Sequence, residues 1–329
     1  MASIAFPSQS KKVTLSDGTT YGYVSVPAQS PSKPTFLLLH GYPSSCYDWR
    51  HQIVGLQKAG YGVIAPDLLG YGDTDKPTDP SAYRLKSMSA HMAEILDVEG
   101  IPRAIAVGHD WGCALVSSLI TYYRLRFYGF VTVAVGYIAP GVRANRGETA
   151  HLFGYWQWHN TDEAIADKNE NPASEFTLLY PHDPLMFRDI LAPVGKAAEF
   201  VRSGRLAPLP SWYSLAEYTT RDRIFANGGY AAPLCWYKAP MRGVNAEDEA
   251  AVSEEDKICR SPLLLIGAEK DYVCLADMQE QSARPFATDL RVERLDTGHW
   301  VQLEKPDEVN ALLIKFAEDI IEDVHGSKM

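Results

Sequence analysis

Three short segments carry residue types that can do nucleophilic chemistry together: Gly108-His109-Asp110-Trp111-Gly112, Ala268-Glu269-Lys270-Asp271 and Gly298-His299-Trp300. In the first, Asp110 stands two residues from a glycine on either side. It follows the apolar run Ala104 to Val107 and precedes Cys113 to Ile120, a plausible helix. Small-x-nucleophile-x-small spacing at a strand-to-helix junction fits a sharp turn with no room for neighbouring Cβ atoms, which lifts its central side chain above a sheet. The adjoining helix N-terminus favours negative charge there. A carboxylate, with an ordinary pKa of about 3.9, is ionised at neutral pH. Unlike a serine it needs no base to act as a nucleophile, and it can displace a leaving group at an sp³ carbon to form an alkyl ester. Taken alone, an Asp at this point is also a common helix N-cap; the flanking glycines, the following Trp111 and the partners below favour the nucleophile.

His299 is the candidate general base. An imidazole with an ordinary pKa of about 6.5 can deprotonate water for attack on the ester. Asp271, beyond the apolar run Leu263 to Ile266, is the candidate acid that orients His299 through Nδ1–H. Glu269 lies two residues earlier and is its nearest rival, whereas the stretch Val135 to Pro140 offers no carboxylate. The order nucleophile, acid, histidine is the one that elbow-bearing hydrolases use. His40-Gly41-Tyr42-Pro43 follows another apolar run, Thr35 to Leu39. In such folds the N–H after that glycine, here Tyr42, and the N–H after the nucleophile, here Trp111, form an oxyanion hole. Each donor contributes about 3 kcal/mol to the transition state. Proline after an aromatic residue also makes a cis Tyr42–Pro43 bond an expectation.

These residues need a rigid frame, and the chain supplies one. Val13, Leu15 and Tyr21 to Val26 flank Ser16-Asp17-Gly18 as a hairpin. Short apolar runs follow at Thr35 to Leu39, Tyr61 to Ala65, Ala104 to Val107, Phe130 to Val135, Leu263 to Ile266 and Leu290 to Leu295. Such runs predict strands buried on both faces. Leu85 to Gly100 places Met88, Met92, Ile95 and Leu96 at helical spacing and ends at Gly100 and Pro102. Alternation of this kind predicts an α/β fold with a mostly parallel central sheet and helices on both faces. It breaks after about Pro140. Residues 141–254 hold four of the seven tryptophans, Trp156, Trp158, Trp212 and Trp236, with many tyrosines. They are expected to form a helical lid inserted into a core made of residues 1–140 and 255–329.

A length of 329 residues suits one large domain with an insertion. A net charge of −10 repels phosphate backbones, so nucleic acid is not an expected partner. The five cysteines, Cys46, Cys113, Cys235, Cys259 and Cys274, are scattered and form no CxxC pair. That argues against a disulfide framework or a zinc site and fits a reducing compartment such as the cytoplasm. No secretory signal pattern and no apolar stretch of roughly 18 residues is seen. Ser327-Lys328-Met329 resembles a peroxisomal address ending in SKL; the alternative is an ordinary frayed tail.

The motifs together closely resemble the epoxide hydrolases of the α/β-hydrolase superfamily. The likeness covers nearly the whole chain and rests on His40 to Pro43, Asp67-Leu68-Leu69-Gly70-Tyr71-Gly72, Gly108 to Gly112, Ala268 to Asp271 and Gly298 to Trp300. Tyr47-Asp48-Trp49-Arg50 is similar to fungal members. The resemblance implies conversion of an epoxide to a vicinal diol with water and no metal or organic cofactor. It also implies two lid tyrosines that polarise and protonate the ring oxygen. They match Tyr155 in Phe153-Gly154-Tyr155-Trp156 and Tyr237 in Pro233-Leu234-Cys235-Trp236-Tyr237-Lys238. Other lid tyrosines, Tyr180, Tyr213, Tyr218 and Tyr230, fit amphipathic lining. Pro43, Trp156, Trp236 and Trp300 are the expected walls of a pocket for an apolar substrate. An elbow Asp also serves haloalkane and haloacid dehalogenases, but these need halide-binding donors, often an Asn where this chain has Tyr42. A ligand-binding protein on the same scaffold, without turnover, is the alternative of a different class.

Overall fold

The computed structural model describes residues 1–142 and 150–326; Ser327-Lys328-Met329 lies outside them. Eight strands form one sheet: β1 (Ser10–Thr14), β2 (Thr20–Val26), β3 (Thr35–Leu39), β4 (Gly62–Pro66), β5 (Ala104–His109), β6 (Phe127–Val133), β7 (Leu263–Ala268) and β8 (Leu290–Leu295). Their order is β1-β2-β4-β3-β5-β6-β7-β8. The β1–β2 and β2–β4 pairs are antiparallel, and every pair from β4 onward is parallel.

Each buried strand feeds two cores. Along β3, Phe36 and Leu38 face one side with Ile53 and Leu56 of the helix Arg50–Lys58 and Leu313 and Phe316 of the helix Pro306–Gly326. Leu37 and Leu39 face the other, with Met92 and Ile95 of Leu85–Val98 and Leu115 and Leu119 of Trp111–Tyr123. This two-sided burial produces the unbroken apolar runs in the sequence. β8 departs from that expectation. It is the last strand, paired only with β7, and none of its residues is fully buried. β6 ends at Val133, earlier than its apolar run: the Ala134 N–H still donates to the Ile266 carbonyl of β7 at 2.9 Å, but its φ of +65° turns the chain away after that bond.

Among the described residues between β6 and β7, 150–254 contribute helices and no strand. Several of their hydrogen bonds to the rest of the chain involve loops beyond the carboxyl ends of strands in the parallel part of the sheet. The Tyr180 hydroxyl reaches the Pro43 carbonyl after β3, the Trp236 indole the Leu69 carbonyl after β4, and the Trp300 indole after β8 reaches the Leu179 carbonyl. Ligands of open parallel sheets bind at this end.

Candidate active site

Asp110 follows β5, which lies between β3 and β6 at the middle of the sheet. It caps the helix Trp111–Tyr123 with φ +52° and ψ −121°, a conformation that non-glycine residues rarely adopt. Its neighbours allow the turn: a Cβ on Gly112 would lie 2.1 Å from the Leu39 carbonyl oxygen, and one on Gly41 would lie 2.4 Å from Asp110 Oδ1. The Tyr42 N–H donates to Asp110 Oδ1 at 2.8 Å, and the adjacent Trp111 N–H also favours the charged form of this carboxylate. The Tyr42–Pro43 bond is cis. The two backbone donors expected from the sequence thus converge on one side chain.

Asp110 Oδ2 lies 3.7 Å from His299 Nε2, beyond hydrogen-bond length yet close enough for one water to touch both. His299 Nδ1 is 2.6 Å from Asp271 Oδ2, while Asp271 Oδ1 accepts the N–H groups of Val273 and Cys274, each at 3.0 Å. Glu269 is exposed and takes no part. Burial pushes the His299 imidazole down, but the Asp271 carboxylate and then Asp110 outweigh it and leave its pKa above the ordinary 6.5. Burial raises the Asp110 pKa, against the pull of His299 and of the Tyr42 and Trp111 N–H groups, so it stands above the ordinary 3.8.

Tyr155 and Tyr237 enter from the helices Gly154–His159 and Cys235–Met241, with ring centroids 6.0 Å apart. Burial raises both phenols well above their ordinary pKa; Cys274 and Asp110 add to the rise at Tyr155, and Tyr155 and Asp110 add to it at Tyr237. Both are held protonated and able to donate. Tyr237 packs edge-on against Trp111 at 5.1 Å and Trp156 at 5.4 Å, which places Trp156 beside the elbow.

The alpha/beta hydrolase fold family matches residues 34–306. The chain belongs to that family. It is 31% identical over 302 residues to epoxide hydrolase A of Mycobacterium tuberculosis, covering 88% of this chain and 92% of that protein. Bifunctional epoxide hydrolase 2 of Mus musculus is 29% identical over 325 residues, 92% of this chain but 56% of the relative, so the chain spans about half that relative's length. An epoxide hydrolase from an endophytic Streptomyces superposes with a TM-score of 0.80 at 26% identity, covering 94% of this chain and 95% of that one.

Within this alpha/beta hydrolase, two expected pocket walls sit elsewhere. Trp236 donates its indole N–H to the Leu69 carbonyl at 2.8 Å and packs against Tyr83. Trp300 is stacked on Tyr180 at 4.0 Å and donates to the Leu179 carbonyl at 2.6 Å. Both are 2% exposed or less, and both link the helical segment between β6 and β7 to loops that follow strands. An indole N–H needs an acceptor once buried, and these backbone carbonyls supply it.

Sequence reasoning missed several supports. Glu304 accepts the N–H groups of Gly298 and Trp300, at 2.8 and 3.2 Å, and so clasps the loop that carries His299. His109 bonds through Nε2 to the His299 carbonyl at 2.9 Å. His40 accepts the Leu68 N–H at 2.9 Å, fixing the loop that leads to Tyr42. His109 lies inside the elbow motif and His40 inside the HGxP motif, so their presence was legible but their partners were not. Glu304 had no signal. Among the described residues, Asp271, Cys274 and His299 form the group whose donor atoms, within 4.8 Å of one another, could hold a metal. Both Asp271 oxygens, however, are already engaged in hydrogen bonds.

Proposed function

We propose that this protein hydrolyses an apolar epoxide to a vicinal diol through a covalent ester on Asp110. The observation that carries the reading is a carboxylate, in place of a hydroxyl, at the elbow, with one oxygen on the Tyr42 N–H and the other 3.7 Å from His299 Nε2. The relatives named above, all epoxide hydrolases, support it.

The epoxide lies between the sheet domain and residues 141–254, which act as the lid over a core of residues 1–140 and 255–329. Tyr155 and Tyr237 donate to the ring oxygen. Asp110 Oδ2 attacks a ring carbon from the opposite side, the C–O bond breaks, and a phenol protonates the leaving oxygen. An alkoxide is more basic than even a buried phenolate, so the transfer runs downhill. His299, held by Asp271, then takes a proton from water, and the hydroxide adds to the Asp110 carbonyl carbon. Charge developing on Oδ1 is met by the Tyr42 and Trp111 N–H groups. Collapse breaks the bond between the Asp110 carbonyl carbon and the alkyl oxygen; that oxygen takes the proton of the added hydroxyl to complete the diol, the carboxylate is restored, and the proton held by His299 returns to the phenolate. No step calls for a metal or an organic cofactor. Trp156 is the lid wall beside the nucleophile.

The test is a panel of aryl and alkyl epoxides assayed for diol, run beside haloalkanes assayed for halide. Diol formation that disappears in Asp110→Ala is expected. Halide release without diol formation moves the assignment to a dehalogenase, and binding without turnover moves it to a ligand-binding protein.

A further inference from the structure

The loop that supplies Tyr42 is gripped from the lid. The Tyr180 hydroxyl stands 2.9 Å from the Pro43 carbonyl oxygen and 2.6 Å from Asp48 Oδ2, sharing its one proton between two acceptors on the same core loop. Ser44 donates to that Asp48 oxygen at 2.6 Å. One residue before Pro43, the Tyr42 hydroxyl donates to Glu175 Oε1 at 3.2 Å. Glu175 is fully buried, and its charge is answered by the equally buried ammonium of Lys168. The Arg221 guanidinium, buried and without a carboxylate within ion-pair distance among the described residues, is 3.5 Å from the Pro43 oxygen. Tyr180 and Glu175 come from the helix Pro172–Leu179 and the residue after it, Arg221 from Leu215–Phe225. Both members of the Tyr42–Pro43 dipeptide are therefore tethered by side chains of the insertion.

We infer that Tyr180 and Glu175 are positioning residues which set the Tyr42 N–H against Asp110, so that seating of the lid controls hydrolysis of the covalent ester. The inference rests on the ester mechanism proposed above. Its logic follows the charge on Oδ1. In the resting enzyme that oxygen shares a full negative charge. In the ester it is a neutral carbonyl oxygen. In the tetrahedral intermediate it is again an oxyanion. A donor at Oδ1 thus stabilises the starting state of alkylation and the transition state of hydrolysis. A displaced Tyr42 N–H leaves alkylation as fast as before, or faster, and slows hydrolysis. A clamp on this dipeptide acts selectively on the second step, whereas damage to the fold at large would slow both.

Tyr180→Phe removes one hydroxyl and keeps the ring that stacks on Trp300. Tyr42→Phe removes the link to Glu175 and keeps the backbone N–H. Each is mixed rapidly with excess styrene oxide and quenched, and the protein mass is recorded for the adduct; His299→Gln serves as the ester trap. We expect both tyrosine variants to hydrolyse the ester about tenfold more slowly. Adduct should accumulate, kcat and KM should fall together, and adduct formation should be slowed less than twofold. An unchanged rate of ester loss in both folded variants overturns the inference. So does equal slowing of adduct formation and loss. Absence of any adduct in His299→Gln refutes the ester mechanism itself, and that result is distinct from either of the others.

Discussion

The carboxylate side of the site and the phenol side are built by different means. Asp110 directly follows β5, Asp271 stands three residues beyond β7, and His299 four residues beyond β8. Their backbones are aimed by a hydrogen-bonded sheet and by short loops tied with backbone N–H groups. Tyr155 and Tyr237 stand on helices of six and seven residues, too short to hold themselves. They are aimed by packing. His159, fully buried, has its ring 4.5 Å from that of Tyr237 and 5.2 Å from that of Tyr155, and it receives the Lys168 ammonium at 3.2 Å. Burial and the Lys168 charge push the His159 imidazole well below its ordinary pKa, so it stays a neutral acceptor. One half of the chemistry thus rests on backbone geometry, the other on a buried side-chain cluster.

Changes on the two sides should therefore fail differently. The largest effect falls on the carboxylate side: Asp110→Ala should lower kcat/KM by about 10⁴-fold or more with little change in Tm, since no other group can take the nucleophile's place. Diol production at more than a few per cent of the original rate would break the comparison. On the phenol side, Tyr237→Phe should slow adduct formation by about 10²-fold, Tyr155→Phe by less, and the double variant by far more, because one phenol can still donate when the other is gone. Steady-state rates on one aryl epoxide, compared with adduct formation by rapid quench, would reveal this. Equal loss in the hydrolysis step would place the phenols elsewhere in the mechanism.

The pH response sharpens the contrast. Hydrolysis needs neutral His299, whose pKa is raised in the folded enzyme. The rate should therefore fall as pH drops through a midpoint above about 6.5. In Asp271→Asn the group that raises it is gone, so the midpoint should move to lower pH while the maximal rate falls. A midpoint that stays in place would remove Asp271 from its role. The same shift stabilises the fold below the ordinary imidazole pKa, and that contribution is lost as pH rises through the folded value. His299→Gln should flatten this part of the stability profile in urea melts. The smallest effect is structural: Trp236→Phe should leave the Leu69 carbonyl without its indole donor and cost about 1 kcal/mol of stability. A large loss of activity at unchanged stability would return Trp236 to the pocket wall.

The same division decided what could be read from the sequence. Strand-borne groups leave a spacing signature, because a sharp turn demands glycines and a buried strand demands an apolar run. Thr35 to Leu39 matched its buried strand in full, and Asp110 stood out through Gly108 and Gly112. The buried cluster leaves no such trace. Charged residues mostly sit at the surface, yet Lys168, Glu175 and Arg221 are each 2% exposed or less. Lys168 and Glu175 pair across two successive helices, while Glu175 and Arg221 also reach Tyr42 and Pro43 far away in the chain, and nothing local announces these contacts. For the same reason Trp236 and Trp300 looked like pocket walls: a tryptophan beside a motif has the same letter whether its ring meets a substrate or a backbone carbonyl. The edge position of β8, which lets charged Glu293 and Arg294 sit in a strand, follows from strand order, and strand order is set by long-range pairing.

The most direct test is a single turnover in ¹⁸O-labelled water with enzyme in excess over epoxide, followed by digestion and mass analysis of the peptide that contains Asp110. The account predicts one ¹⁸O atom in the Asp110 carboxylate and none in the first diol formed. Label in that diol and none in Asp110 would mean that water opens the ring directly, and would contradict it.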